Sequence, residues 1–221
     1  MISFFINLIF RLPENPFKRA IRNIYYADVI SERLVEYPLV FQNLQIERGR
    51  ILDIGCYYSA LPVQLASMGF RVYGIDPEPY QLTHPNFTFV QGDIMNNNFK
   101  EGFFDVVTTV STLEHIGLGF YADQKEKNGD KKAIKEVARI LKPKGKLILT
   151  VPYSKEFKVT SSQRMYDKKS LEKLMNPEFK ILKKRIFKNN KGKWEPAREA
   201  EVIVVKGERT QVMTLIVAEK G

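Results

Sequence analysis

The sequence predicts an α/β domain built on a largely parallel sheet with helices on both faces. Three observations carry this. Short runs rich in β-branched and aromatic residues recur at 50–54, 71–75, 87–90, 104–110 and 146–151. Segments with apolar residues at helical spacing stand between several of them, and Gly, Pro, Asn or Asp bound each run. Strands separated by helices return to the sheet in the same direction, so they pair in parallel and are buried on both faces.

Each element follows in order. Residues 2–10 are apolar but interrupted by Ser3 and Asn7, and are far shorter than the roughly 20 residues that cross a bilayer. No basic stretch precedes them and no small-residue cleavage site follows, which argues against a secretory signal. The segment either packs on the domain or lies at a membrane surface, helped by Arg11, Lys18, Arg19 and Arg22. We expect residues 1–45 to form a helical extension packed on the core, and 46–221 the main domain. After the first strand, Leu61, Leu65 and Met68 mark a helix over 61–68, with Pro62 in its first turn, where a missing N–H costs little. Asp130 can cap a helix through Leu141 that Pro143 and Gly145 end. Beyond Pro152, residues 167–175 read as a short helix, and 179–187 and 212–218 as strands forming an antiparallel pair at the end of the sheet. Residues 188–198, around Trp194, read as a loop or insertion, and 201–205 as either strand or loop.

The bulk numbers bound the function. At 221 residues and 44% hydrophobic composition the chain can bury one sizeable core. Its formal charge of +10 attracts anionic partners, whether nucleic acid, acidic lipid or a phosphate-bearing substrate, without choosing among them. Cys56 is the lone cysteine, so an intramolecular disulfide is excluded, and with two histidines an ordinary Cys/His zinc site is excluded as well. No metal is expected, and a reducing cytoplasm fits best.

In an open parallel sheet, ligands bind beyond the carboxyl ends of the strands, near the point where strand order reverses. Asp53-Ile54-Gly55-Cys56-Tyr57 follows the first strand as a tight turn into a helix whose free N–H groups can receive polar groups of a ligand. Gly74-Ile75-Asp76 closes the second, where a carboxylate can accept both hydroxyls of a ribose. Gln91-Gly92-Asp93-Ile94 closes the third; Asp93 can accept from an exocyclic amine while the Ile94 N–H donates to a ring nitrogen. Singly, each aspartate is better explained as a turn or helix cap. Three at successive strand ends point to a nucleoside site. A dinucleotide fingerprint, Gly-x-Gly-x-x-Gly, is not present in the first turn, which retains Gly55 only.

Taken with 104–107 (Phe-Asp-Val-Val), Glu114-His115 and 141–147 (Leu-Lys-Pro-Lys-Gly-Lys-Leu), these motifs resemble the class I S-adenosylmethionine-dependent methyltransferases, of the type 11 kind, in order and spacing over about residues 48–153. The resemblance implies a Rossmann-like, doubly wound, mostly parallel sheet of seven strands with an antiparallel C-terminal strand, and S-adenosylmethionine as cofactor. It implies that Gly55 passes close to the methionine part, Asp76 holds the ribose, and Asp93 with Ile94 holds adenine. Asp53, Cys56, Tyr57 and Ser111 complete the expected cofactor-binding set. Two departures stand out: Tyr57 and Ser59 replace glycines usual in the first turn, and Pro77, Pro79 and Pro85 displace the usual helix after the second strand.

On the acceptor side His115 is the candidate general base, with Glu114 to orient it; equally, the two can simply begin a short helix beneath the cofactor. Residues 111–123 read as either a lid or a connecting loop. Arg164 and Tyr166 can meet an anionic substrate or make surface contacts. Lys180, Lys183, Lys184, Arg185, Lys188, Lys191 and Lys193 with Trp194 form a tract that can grip phosphates, although such a tract is usually a solvated face. The reading is methyl transfer to O or N of a small-molecule or glycan-type acceptor, anionic and phosphate- or nucleotide-linked given the charge. The alternatives are an RNA methyltransferase, which no RNA-binding module supports, and a noncatalytic cofactor-binding or interaction module. A nicotinamide oxidoreductase is disfavoured by the missing glycines.

Overall fold

The computed structural model describes residues 32–121, 123–205, 207 and 210–221. The expectations placed on residues 2–22 lie outside these. Helix α1 (Arg33–Asn43) precedes strand β1 (Arg50–Ile54), helix α2 (Leu61–Ser67), β2 (Arg71–Asp76), β3 (Phe87–Gln91) and β4 (Phe104–Val110). Helix α3 (Gly129–Ile140) leads into β5 (Leu141–Pro152), followed by the short pair β6 (Lys158–Val159) and β7 (Arg164–Met165) and helix α4 (Lys168–Met175). Strands β8 (Phe179–Asn190), β9 (Lys193–Ala197) and β10 (Val212–Lys220) complete the chain.

The main sheet runs β3-β2-β1-β4-β5-β10-β8-β9. Strands β1 to β5 pair in parallel, while β10 lies antiparallel between β5 and β8. Alternation along β1 explains the two layers. Ile51 joins a cluster under α1 and α2 with Leu39, Val40, Leu61 and Leu65, whereas Leu52 joins the opposite cluster under α3 and α4 with Ile134, Val137 and Leu171. The strand order reverses between β1 and β4, which places the crevice over their carboxyl ends.

Two expectations change. Among the described residues the sheet has eight strands rather than seven, because the stretch read as a loop at 188–198 is the end of β8, a turn and β9. Lys191 and Gly192 both have positive φ, 51° and 90°, the backbone of a tight two-residue hairpin turn. Pro196 is tolerated because β9 is an edge strand. The helix before β5 also ends one residue earlier than expected, at Ile140, with Leu141 already extended. Residues 201–205 form no strand, beginning instead in a 3₁₀ turn, Glu199–Glu201. Among the described residues no helix is long and apolar enough to cross a membrane.

Candidate functional site

The turn after β1 has the conformation a ligand-facing loop needs. Gly55 has φ +79°, and its N–H donates to the carbonyl of Ile75 at 3.0 Å, tying the turn to the end of β2. A Cβ at Gly55 would lie 2.2 Å from the side chain of Thr112, which follows β4. Only glycine is compatible with both the φ and that approach. The two residues that stand where glycines are usual both have partners in or beside the turn. The Tyr57 ring packs against Tyr58, with centroids 3.9 Å apart. The buried Ser59 Oγ lies 2.8 Å from the Tyr37 hydroxyl of α1 and accepts the N–H of Leu61 at the start of α2. Cys56 is fully buried with its Sγ close over Gly74, a packing residue whose thiol burial pushes far above its ordinary range.

Asp76 ends β2 with both oxygens engaged, Oδ2 accepting the N–H of Tyr57 at 3.0 Å and Oδ1 that of Glu78 at 2.9 Å. Burial raises its pKa, partly offset by those two donors. A carboxylate oxygen has two lone pairs, so each retains capacity for a ribose hydroxyl. At the end of β3, Asp93 accepts the Met95 N–H at 2.8 Å and caps the 3₁₀ turn Ile94–Asn96, the capping role available to any strand-end aspartate; Ile94 is buried. The β2–β3 connection is irregular, as its prolines require, and Tyr80 covers it: the hydroxyl donates to the Ser59 carbonyl at 2.7 Å and the ring packs on Phe87 and Phe89. Asp53 is buried beneath the turn, its Oδ1 accepting the Thr108 hydroxyl at 2.6 Å. Loss of hydration pushes its pKa up to about 7.

Ser111 is elsewhere engaged. Its hydroxyl donates to Oε1 of Glu36, a fully buried acid on α1 that also accepts the Thr150 hydroxyl of β5, each at 2.6 Å. Ser111 has φ +45°, an unfavourable conformation for a side-chain-bearing residue that these contacts hold in place. Arg33, one turn earlier on α1, donates to the Val110 carbonyl at 3.4 Å and lies 3.7 Å from Glu36 Oε2. Sequence reading missed Arg33, Glu36, Tyr37 and Thr112. One signal was available for Glu36: it shares the i, i+3, i+4, i+7 stripe of buried positions with Leu39, Val40 and Asn43, an acid on an inward face.

Glu114 and His115 sit in successive turns after β4 and start no helix. Glu114 is buried, and desolvation holds its carboxyl protonated well above the usual range. His115 Nδ1 is 2.5 Å from the Ser162 carbonyl, which can only accept, so the ring proton is on Nδ1 and Nε2 is left unprotonated, 3.7 Å from Glu114 Oε1. Burial lowers the imidazole pKa to about 4. The following loop is tied down by Asp123, whose carboxylate accepts the N–H groups of Gly117, Gly119 and Tyr121.

Arg164 and Tyr166 do not face a substrate. Both are buried: Arg164 donates to the carbonyls of Glu114 and Ile116 and pairs with Asp130, which accepts the Tyr166 hydroxyl at 3.0 Å. They fix the post-β4 turns from below. The basic tract is likewise partly consumed internally. Lys183 donates to Asn43, Lys184 to Glu199 and the Tyr153 hydroxyl, and Lys188 to Glu201.

Residues 52–149 match the family described as a methyltransferase domain. A ubiquinone biosynthesis O-methyltransferase of Xanthomonas oryzae pv. oryzae is 32% identical over 127 residues, 52% of this chain and 48% of that protein. The chain spans less than half the length of the first curated relatives it matches. Among solved structures, an S-adenosylmethionine-dependent methyltransferase of Methanosarcina mazei superposes with a TM-score of 0.60 at 20% identity, over 83% of this chain and 97% of that one. The 1,6-didemethyltoxoflavin-N1-methyltransferase of Burkholderia thailandensis, solved with its acceptor and S-adenosylhomocysteine, superposes with the same score at 14% identity, over 95% and 92%. These structural likenesses establish the fold. The matched stretch, which includes the turn at Gly55, makes this part of the chain similar to the methyltransferase-domain family.

Proposed function

We propose that the chain transfers the methyl group of S-adenosylmethionine to oxygen or nitrogen of a small-molecule acceptor. The observation that carries this is the adjacency of Gly55, Asp76 and Asp93, which close three neighbouring parallel strands at the sheet's carboxyl edge. The residues fit the cofactor. Gly55 keeps the turn free of a side chain, Asp76 retains lone pairs for a ribose, and Asp93 with the Ile94 N–H would receive adenine. The cofactor, when bound, supplies a methyl group on a positively charged sulfur.

The chain's own contribution is alignment, since an in-line displacement needs the acceptor held close and correctly directed. Thr112, Glu114 and His115 form the wall after β4, fixed from beneath by Arg164. The neutral imidazole presents Nε2 as a proton acceptor. Its low pKa makes it a weak base, so it suits an acceptor already nucleophilic near neutral pH, with His115 orienting the group and taking its proton late. A membrane contact of residues 2–22 and an anionic or glycan-type acceptor rest on composition and resemblance alone. Arg164, Lys183, Lys184 and Lys188 have internal partners, which weakens the case for phosphate or RNA recognition through them.

Asp76→Ala tests the reading. Loss of charge-assisted hydrogen bonds to the ribose should weaken S-adenosylhomocysteine binding by roughly 1–3 kcal/mol, about 5- to 150-fold. Unchanged affinity in a folded variant removes Asp76 from the site.

A further inference from the structure

Four large apolar side chains, Phe157, Val159, Ile203 and Val204, are each 42–51% exposed and stand beyond the carboxyl end of β5. Phe157 and Val159 belong to the flap made by β6 and β7. The chain at 203–207 runs beside it: the Lys155 N–H donates to the Ile203 carbonyl at 3.0 Å, the Val205 N–H to the Ser154 hydroxyl at 3.2 Å, and Lys158 Nζ to the Gly207 carbonyl at 3.4 Å. The flap is braced from within. Its Ser162 carbonyl accepts the His115 ring N–H, the Arg164 N–H donates to the Glu114 carbonyl at 3.0 Å, and the Phe157 ring packs on the buried Tyr166. These contacts hold apolar side chains out in water, which costs free energy until a partner covers them.

Charge decides which partner fits. Exposed Lys155 and Lys158 flank Phe157, and exposed Lys168 and Lys169 begin α4, whose cap Asp167 accepts the Phe157 N–H at 3.3 Å. The acids of this stretch are Glu156, which is exposed, and Asp167, which also accepts the Ser170 N–H. A contiguous apolar patch rimmed by polar residues marks a protein or membrane contact. Protein interfaces are depleted in lysine. Lysines around exposed apolar side chains suit an anionic lipid surface, whose potential attracts them while the apolar groups enter the boundary of the acyl chains. We propose that the flap and residues 203–204 form a docking surface for an anionic lipid bilayer. Because Ser162 of the same flap bonds His115, docking turns the wall that carries His115 toward the membrane.

Sedimentation of the cofactor-free full chain with vesicles tests this. Wild type should bind vesicles of phosphatidylglycerol mixed with phosphatidylcholine, less tightly at raised salt, and should bind phosphatidylcholine alone poorly. Phe157→Ser/Ile203→Ser should weaken binding to the mixed vesicles about tenfold or more, and Lys155→Gln/Lys158→Gln roughly tenfold. All four positions are exposed, so both variants should keep the wild-type melting temperature. No wild-type binding overturns the proposal. So does wild-type affinity in Phe157→Ser/Ile203→Ser, which would place the contact elsewhere on this basic chain, as at residues 2–22. Self-association that this variant abolishes, with vesicle binding unchanged, would assign the patch to a second copy of the chain instead. Vesicle binding is read without cofactor, so its failure leaves the methyl-transfer reading standing, and failure to bind a sulfur nucleoside leaves the lipid surface standing.

Discussion

Gly55→Ala is the perturbation whose cost the structure specifies most fully. Two effects add. An alanine at φ +79° enters the left-handed region, at roughly 1–2 kcal/mol. Its Cβ would also lie 2.2 Å from both Oγ1 and Cγ2 of Thr112 and 2.7 Å from Thr112 Cβ, so the post-β4 turn must move, at about 1–3 kcal/mol. The sum is about 2–5 kcal/mol, or roughly 4–20 °C in melting temperature for a domain of this size. Urea unfolding of the two single variants and the double variant Gly55→Ala/Thr112→Gly separates the parts. Removing the Thr112 side chain abolishes all three close contacts and leaves the dihedral cost, so the cycle should return a coupling of about 1–3 kcal/mol. A Gly55→Ala cost below about 1 kcal/mol, or no coupling to Thr112, would refute the argument that this turn is shaped by close approach of the two segments.

Two further perturbations probe what lies beneath the site. Asp53, raised to about 7 by burial, contributes stability that is present below its unfolded value of 3.8 and lost as pH rises through 7. Asp53→Asn should therefore exceed the wild type by roughly 2 kcal/mol near pH 5 and by about 4 kcal/mol near pH 8.5; thermal unfolding at the two pH values checks this, and equal differences at both would contradict it. Arg164→Met leaves the carbonyls of Glu114 and Ile116 without that donor and Asp130 without its cation. Destabilisation of about 3–5 kcal/mol is expected, with faster hydrogen exchange in residues 112–119; unchanged exchange there would show that Arg164 does not hold those turns.

The sheet's parallel half was legible in the sequence because β1, β2, β3 and β4 are short runs rich in β-branched and aromatic residues, the first three ended by Gly or Asp, a signal that burial on both faces makes strong in β1 and β4. The antiparallel half was only partly so. Lys191-Gly192 is an uncommon hairpin turn compared with Asn-Gly, and β9 lies at a solvated edge where alternation is weak, so the eighth strand was hidden. Positions of Asp53, Gly55, Asp76 and Asp93 followed from strand ends, where one element fixes the residue. Glu36, Arg33 and Thr112 did not, because their meaning comes from contacts such as Ser111–Glu36, which spans 75 residues of sequence. The burial of Arg164 and Tyr166 was hidden for the same reason. A basic residue in a loop reads as surface until Asp130, 34 positions earlier, is brought beneath it.

The central claim is that the crevice over β1, β2 and β3 holds a sulfur nucleoside. Calorimetric titration of the purified chain with S-adenosylmethionine, S-adenosylhomocysteine and, as control, NAD tests it most directly. Saturable one-to-one binding of the two sulfur nucleosides and none of NAD is the expected result. Binding of NAD alone, or of none of the three, would contradict it.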